Sequence, residues 1–273
     1  MRIDAHAHIY HGDEERYVMK EEPFRPALAM GTIQHLRREM AANAVDKVVL
    51  VQTGSAYRWD NALLADTARG NADWAVGVCT LDPEGEDSVA ELQRLVADSN
   101  VKGLRMEVSP AGFRHSAAER LWDKARELSV VVCAHLHKEH LGELGELPSL
   151  FPTVRVVLDH CAYPRVEEGV EDKTLRAMVD LAHFANLYVK LSFGVTASQG
   201  AYSFADTHAQ LRCIVDAYAA ERCMWGSDFP CEHWLKKASY GEHMAIFERE
   251  LGLSAGEKEW VLGGTAARVW FGE

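Results

Sequence analysis

Eight short runs rich in β-branched residues alternate with longer amphipathic stretches, and this alternation most restricts the fold. The runs are Ile3–Ile9, Lys47–Thr53, Trp74–Leu81, Val101–Val108, Val130–Leu136, Val154–His160, Leu187–Phe193 and Cys223–Ser227. Helix-like segments lie near 26–44, 60–71, 85–99, 116–129, 139–150, 170–185, 206–221 and 232–252. Strands separated by helices pair in parallel, because a parallel partner needs a long crossover. Eight such units can close into a barrel, for which about 250 residues are typical; this chain has 273. An open doubly wound sheet would usually place a glycine-rich phosphate turn after an early strand. The first turn here is His8-Ile9-Tyr10-His11-Gly12. No low-complexity linker divides the chain, so the expectation is α/β, one (β/α)8 TIM-barrel domain over residues 1–273. Ser116–Glu119 and Ser254–Glu257 read as capping boxes at helix starts.

Composition narrows the partners. Lys and Arg total 29 against 41 Asp and Glu, a net charge of −12. Such a chain lacks the positive potential that nucleic acids and anionic membranes require. No apolar run approaches the roughly 20 residues of a membrane helix, and the start lacks the charged-then-apolar pattern of a secretion signal. The six cysteines form no C-x-x-C pair, and Cys79, Cys133 and Cys223 fall in strand-like runs. They read as reduced thiols of a cytoplasmic protein. A small-molecule substrate is the expected partner, and self-association into a homo-oligomer is left open.

Barrel chemistry sits at the C-terminal ends of the strands, and the polar residues fall there. His6 and His8 share one face of the first run by period two. Run two ends in Gln52. In run four Leu104, Met106 and Val108 form an apolar face, while Gly103, Arg105 and Glu107 point to the interior. Run five rises to His135, with His137 on the same face. Run six ends in Asp159-His160, run seven carries Tyr188, Lys190 and Ser192 on one face, and run eight leads to Asp228. Imidazoles and a carboxylate converging on one mouth suit Zn²⁺ or a similar ion with an open position. Such an ion makes water a nucleophile at neutral pH. The bland readings stand beside these. The histidines could pack at the rim, Asp228 could cap a helix, and Arg105 could pair with Glu107 or Asp82. Otherwise Arg105 could grip a substrate carboxylate through its bidentate fork, with Gln52 and Ser192 as pocket polar groups.

Asp4-Ala5-His6-Ala7-His8, the run ending in His135, Leu158-Asp159-His160 with Pro164, and Trp225-Gly226-Ser227-Asp228-Phe229-Pro230 together resemble the second amidohydrolase family. Leu262–Arg268 looks like that family's closing helix, with Thr265 where Asn is usual. The resemblance implies His6, His8, His135 and Asp228 as ligands of one divalent metal, Zn or alternatively Mn. It implies Asp228 as general base and His160 as a catalytic histidine. No lysine stands at the strand-four position of the binuclear relatives, which favours one metal; some lactonase relatives use none. Gln52, Asp60–Leu64, Gly103-Leu104-Arg105 and Lys190-Leu191-Ser192 look more like the lactonase-type group. The function implied is hydrolysis of a small, carboxylate-bearing cyclic ester. The alternatives are metal-dependent non-oxidative decarboxylation of an aromatic or unsaturated acid, and a non-catalytic metabolite-binding barrel.

Overall fold

The computed structural model describes residues 1–234 and 237–273. Its eight strands run β1 (Ile3–Ala7), β2 (Lys47–Val51), β3 (Ala75–Thr80), β4 (Val101–Glu107), β5 (Val131–His135), β6 (Val156–Leu158), β7 (Leu187–Lys190) and β8 (Cys223–Met224). All pair in parallel with their sequence neighbours. The seam between β8 and β1 closes by backbone bonds from Ala5 N to Trp225 O, Asp228 N to His6 O and His8 N to Phe229 O. The expected (β/α)8 TIM barrel is the fold observed.

Two apolar layers make the core. Leu50, Leu104, Met106, Val132, Leu158 and Val189 face the surrounding helices. Ile3, Ala5, Val49, Val76, Val131 and Val157 fill the barrel with Trp270 and Val269 from the C-terminal helical turns. Those turns close the end of the barrel opposite the strand C-termini. Gly103 belongs here because a β-carbon would stand 2.7 Å from the Trp270 ring. Val108 lies past the end of β4 and is exposed.

The helices match the expected segments with shorter bounds: Ile33–Ala42, Ala62–Gly70, Ser88–Asp98, Ser116–Leu128, Leu141–Leu150, Lys173–Asp180, His208–Tyr218 and Tyr240–Ala245. The first begins late because Gly31 turns the chain at φ +70°, and Thr32 then caps by accepting from His35 N. Leu235 and Lys236, within the expected 232–252 segment, lie outside the described residues. The Ser254–Glu257 capping box forms. The Ser116–Glu119 box does not: Ser116 is already inside its helix, His115 is the cap, and Glu119 receives Arg114 Nε instead. A box at Ser239–Glu242 was not anticipated. No disulfide joins the described cysteines. Among the described residues no helix is long and apolar enough to cross a membrane.

Candidate active site

The seam between β8 and β1 sets the floor of the site. The register of β1 against β2 shifts between Asp4 and Ala7. Ile3 and Ala5 pack into the barrel, and after the shift His6 and His8 also reach it although their parity is opposite. Asp4 instead turns toward β8. Its carboxylate accepts from His6 N (3.1 Å), Ser227 N (2.8 Å), Ser227 Oγ (2.6 Å) and Tyr240 OH (3.0 Å). Burial pushes its pKa up to about 6 against these bonds. Gly226 lets the two strands meet, since a β-carbon there would lie 2.7 Å from His6 Cβ. Asp228 follows in the left-handed region at φ 55°.

Three polar atoms converge at this floor. His6 Nε2 stands 3.1 Å from His8 Nε2, and Asp228 Oδ1 stands 3.6 Å from the first and 3.4 Å from the second. Ligands about 2.0–2.2 Å from a tetrahedral zinc are roughly 3.3–3.6 Å apart. The two spacings to the carboxylate fall in that range and the His6–His8 spacing is slightly shorter, so the three donors can gather around a small divalent ion. His8 Nδ1 donates to Val51 O at 2.9 Å, the backing usual for a ligating imidazole. Burial would raise the Asp228 pKa, but the facing imidazoles of His8 and His160 and the Arg105 charge hold it well below the carboxylate range.

A charged layer lies below. Asp159 pairs with Lys190 at 3.0 Å and with Arg105 Nε at 2.9 Å. These cations outweigh burial and keep it ionised. Arg105 Nη1 also faces Glu107 at 3.4 Å. Lys190 Nζ stands 3.3 Å from His6 Nδ1 and 3.4 Å from Cys133 Sγ. Burial, then the Lys190 charge, drives the His6 pKa far down.

The opposite wall holds the other histidines. His135 ends β5, and its register partner on β4 is Glu107. Its Nδ1 faces Glu107 Oε1 at 3.5 Å and its Nε2 faces Tyr163 OH at 3.0 Å. His135 thus falls outside the His6–His8–Asp228 cluster, with its two nitrogens facing a carboxylate and a phenol. Of the two candidates on run five, His135 lines the cavity. His137 is exposed and stacks on Tyr163, ring centroids 4.6 Å apart. His160 sits between the walls, 4.8 Å from the His6 ring and 5.8 Å from the His135 ring. Burial lowers its pKa to about 3.

Two expected pocket residues lie elsewhere. Gln52 Nε2 donates to Arg58 O (3.1 Å) and Asp60 O (2.6 Å), so its amide holds the loop after β2 and does not line the cavity. The loop carbonyls are partly buried and need a donor. Ser192 is wholly buried behind His160, with Oγ 2.7 Å from Nδ1. It orients that imidazole and does not reach the cavity. The sequence reading missed Tyr163. Residues 160–163 form a left-handed turn with φ between 49° and 58°, which swings Tyr163 back over His160. Strand periodicity carries no signal of such a turn. Consecutive non-glycine residues in this region are costly and cluster at functional sites.

Together His8, Gly54, Ser55, Arg105, Glu107, His135, His160, Tyr163 and Asp228 line a cavity of roughly 350 Å³ at the strand C-termini. A parallel eight-stranded barrel with ionisable groups gathered at that mouth is the architecture of a barrel enzyme. The family model described as amidohydrolase matches residues 3–272, and the chain belongs to that family. It is an enzyme of the hydrolase class. Over 285 residues it is 26% identical to an L-fucono-1,5-lactonase from Burkholderia ambifaria, covering 98% of this chain and 95% of that protein. An amidohydrolase from Burkholderia multivorans, solved with bound Zn, is 26% identical, with a TM-score of 0.81 and 99% of each chain covered. A probable 2-pyrone-4,6-dicarboxylic acid hydrolase from Acinetobacter baumannii, solved with citric acid, shares the fold. Its TM-score is 0.84 at 17% identity over 99% of both chains.

Proposed function

We propose that the protein, acting as one catalytic domain over residues 1–273, hydrolyses a small lactone at the β8–β1 seam. The observation that carries this is the Asp228 carboxylate, held ionised against the His6–His8 pair on the cavity floor. The lactonase relatives support the reaction class.

In this reading Asp228 accepts a proton from the water that adds to the lactone carbonyl. It returns that proton to the ring oxygen as the C–O bond breaks, giving a hydroxy acid. His160, fixed by Ser192, steers the water or bonds the developing oxyanion. His6, His8 and Asp228 would hold one divalent ion, Zn²⁺ or alternatively Mn²⁺. The ion would supply Lewis acidity toward the carbonyl and make water more acidic. His135, expected as a fourth ligand, belongs with Glu107 and Tyr163 on the substrate wall.

Charge refines the substrate. In and beneath the cavity stand two cations, Arg105 and Lys190, and three carboxylates, Glu107, Asp159 and Asp228, a sum of −1. Arg105 has two acidic partners, which weighs against the expected grip on a substrate carboxylate. An uncharged, hydroxyl-bearing ring suits the wall better, with Glu107 as hydroxyl acceptor. A carboxylate-bearing ring becomes favourable when a divalent ion raises the sum to +1.

The test is a pH-indicator assay over five- and six-membered sugar lactones, beside an absorbance assay over aromatic acids. Release of one proton per lactone without CO₂ supports the hydrolase; CO₂ release with no lactone turnover supports the decarboxylase and sinks this reading.

A further inference from the structure

We propose that Lys190 weakens metal binding at the His6–His8 pair, by holding His6 in the tautomer whose Nε2 carries hydrogen. The inference rests on reading His6, His8 and Asp228 as the ligand set.

The direction of each hydrogen bond follows from groups whose roles are fixed. A lysine ammonium can only donate and a backbone carbonyl can only accept. Lys190 Nζ stands 3.3 Å from His6 Nδ1, so that nitrogen is the acceptor and the neutral ring carries its hydrogen on Nε2. Val51 O stands 2.9 Å from His8 Nδ1, so His8 carries its hydrogen there and offers Nε2 as acceptor. The two Nε2 atoms are 3.1 Å apart, a hydrogen-bond distance. The four groups form one chain running a single way: Lys190 to His6, His6 to His8, His8 to Val51. Every link is consistent with its neighbours.

The pair is therefore asymmetric toward an ion. A ligating imidazole usually donates its second nitrogen's hydrogen to a carboxylate or carbonyl. His8 already does so. For His6 to present a lone pair at Nε2, its hydrogen must move to Nδ1, where it would face the ammonium. Among the described residues the nearby acceptor is Asp159 Oδ1, 3.8 Å from Nδ1, and it is engaged with Lys190 at 3.0 Å. Lys190 cannot easily withdraw. It is wholly buried, with Asp159, Cys133 Sγ and the Trp270 ring around it. Loading an ion thus breaks the His6–His8 bond, sets two donors against each other and places a second positive charge behind the ligand. The site would hold zinc loosely and exchange it readily.

The experiment is zinc affinity of the intact chain, measured with zinc alone by competition against a chelating dye, for the natural protein, Lys190→Met and Lys190→Gln. Met removes both the donor and the charge, and Arg105 still pairs Asp159. Gln removes the charge and can accept from His6 Nδ1 through its carbonyl. Both variants should bind zinc about 10–100-fold tighter, the usual scale of changes around a metal ligand. Unchanged or weaker binding in a folded variant, or no zinc binding by any of the three, overturns the proposal. Should one variant fail to fold, the other reads the same sign. A second readout needs no variant: nitrogen NMR of the zinc-free natural protein should find hydrogen on His6 Nε2 and His8 Nδ1. Hydrogen on His6 Nδ1 overturns it. No lactone enters either measurement, so failure of the proposed hydrolase activity would show separately.

Discussion

The two walls of the cavity use the same residue types for different ends. On the β8–β1 seam, His6, His8 and Asp228 turn three polar atoms toward one point. On the β4–β6 wall, His135 ends its strand just as His8 follows its own, yet both its nitrogens are engaged by Glu107 and Tyr163. A strand-end histidine is thus ligand-like or wall-like according to what its neighbours across the sheet present. The β4–β5 register supplies His135 with a carboxylate partner, and a left-handed turn supplies the phenol.

The sharpest break between the walls is catalytic. Asp228→Asn should lower kcat for a lactone by about a thousandfold, within the range for loss of a general base, with KM little changed. His135→Gln should lower it less than tenfold. Metal binding should divide the same way: His8→Ala should weaken zinc at least a hundredfold in a chelator competition, and His135→Gln by under threefold. An equal loss in both would join the two walls into one site.

The seam should also matter more to stability. Asp4→Ala leaves four donors without their buried acceptor, which should cost about 3 kcal/mol in urea unfolding. Acid should loosen the same region. His160, His243 and His6 are kept neutral by burial, the first two with pKa lowered to about 3 and about 4. In the unfolded chain each binds a proton near pH 6.5. Asp4 works with opposite sign, because its raised pKa of about 6 binds a proton in the folded state first. With His135 also lowered by burial, four histidines less one carboxylate leave about two to three more protons on the unfolded chain. Stability should therefore fall as pH drops from 6 to 4, at about 1.4 kcal/mol per unit for each net proton. A flat urea midpoint across that range would contradict the buried neutral imidazoles. The smallest effect belongs to the far wall: Tyr163→Phe removes one hydrogen bond, worth about 1 kcal/mol, and should cost about fivefold in kcat/KM.

Much of this molecule was readable from its sequence, for identifiable reasons. Eight β-branched runs separated by helical segments imposed the barrel, and period two put His6 and His8 side by side. The strand-end rule located His135, His160 and Asp228 at one mouth. It could not assign their partners. Gln52 and Ser192 have the right chemistry at the right depth, but a loop carbonyl pair and the His160 ring claim them. Asp4 shares parity with His6 and His8, yet a register shift that no periodicity encodes leaves it facing β8 while they reach the barrel. Tyr163 was hidden by backbone with φ above zero at non-glycine residues.

Ring opening at the seam is most directly tested in ¹⁸O-labelled water with a sugar lactone that the natural protein turns over. The natural protein should place one solvent oxygen in the new carboxylate, release one proton and no CO₂, and Asp228→Asn should do neither while His135→Gln does both. Evolution of CO₂, or undiminished label incorporation by Asp228→Asn, would contradict hydrolysis centred on the β8–β1 seam.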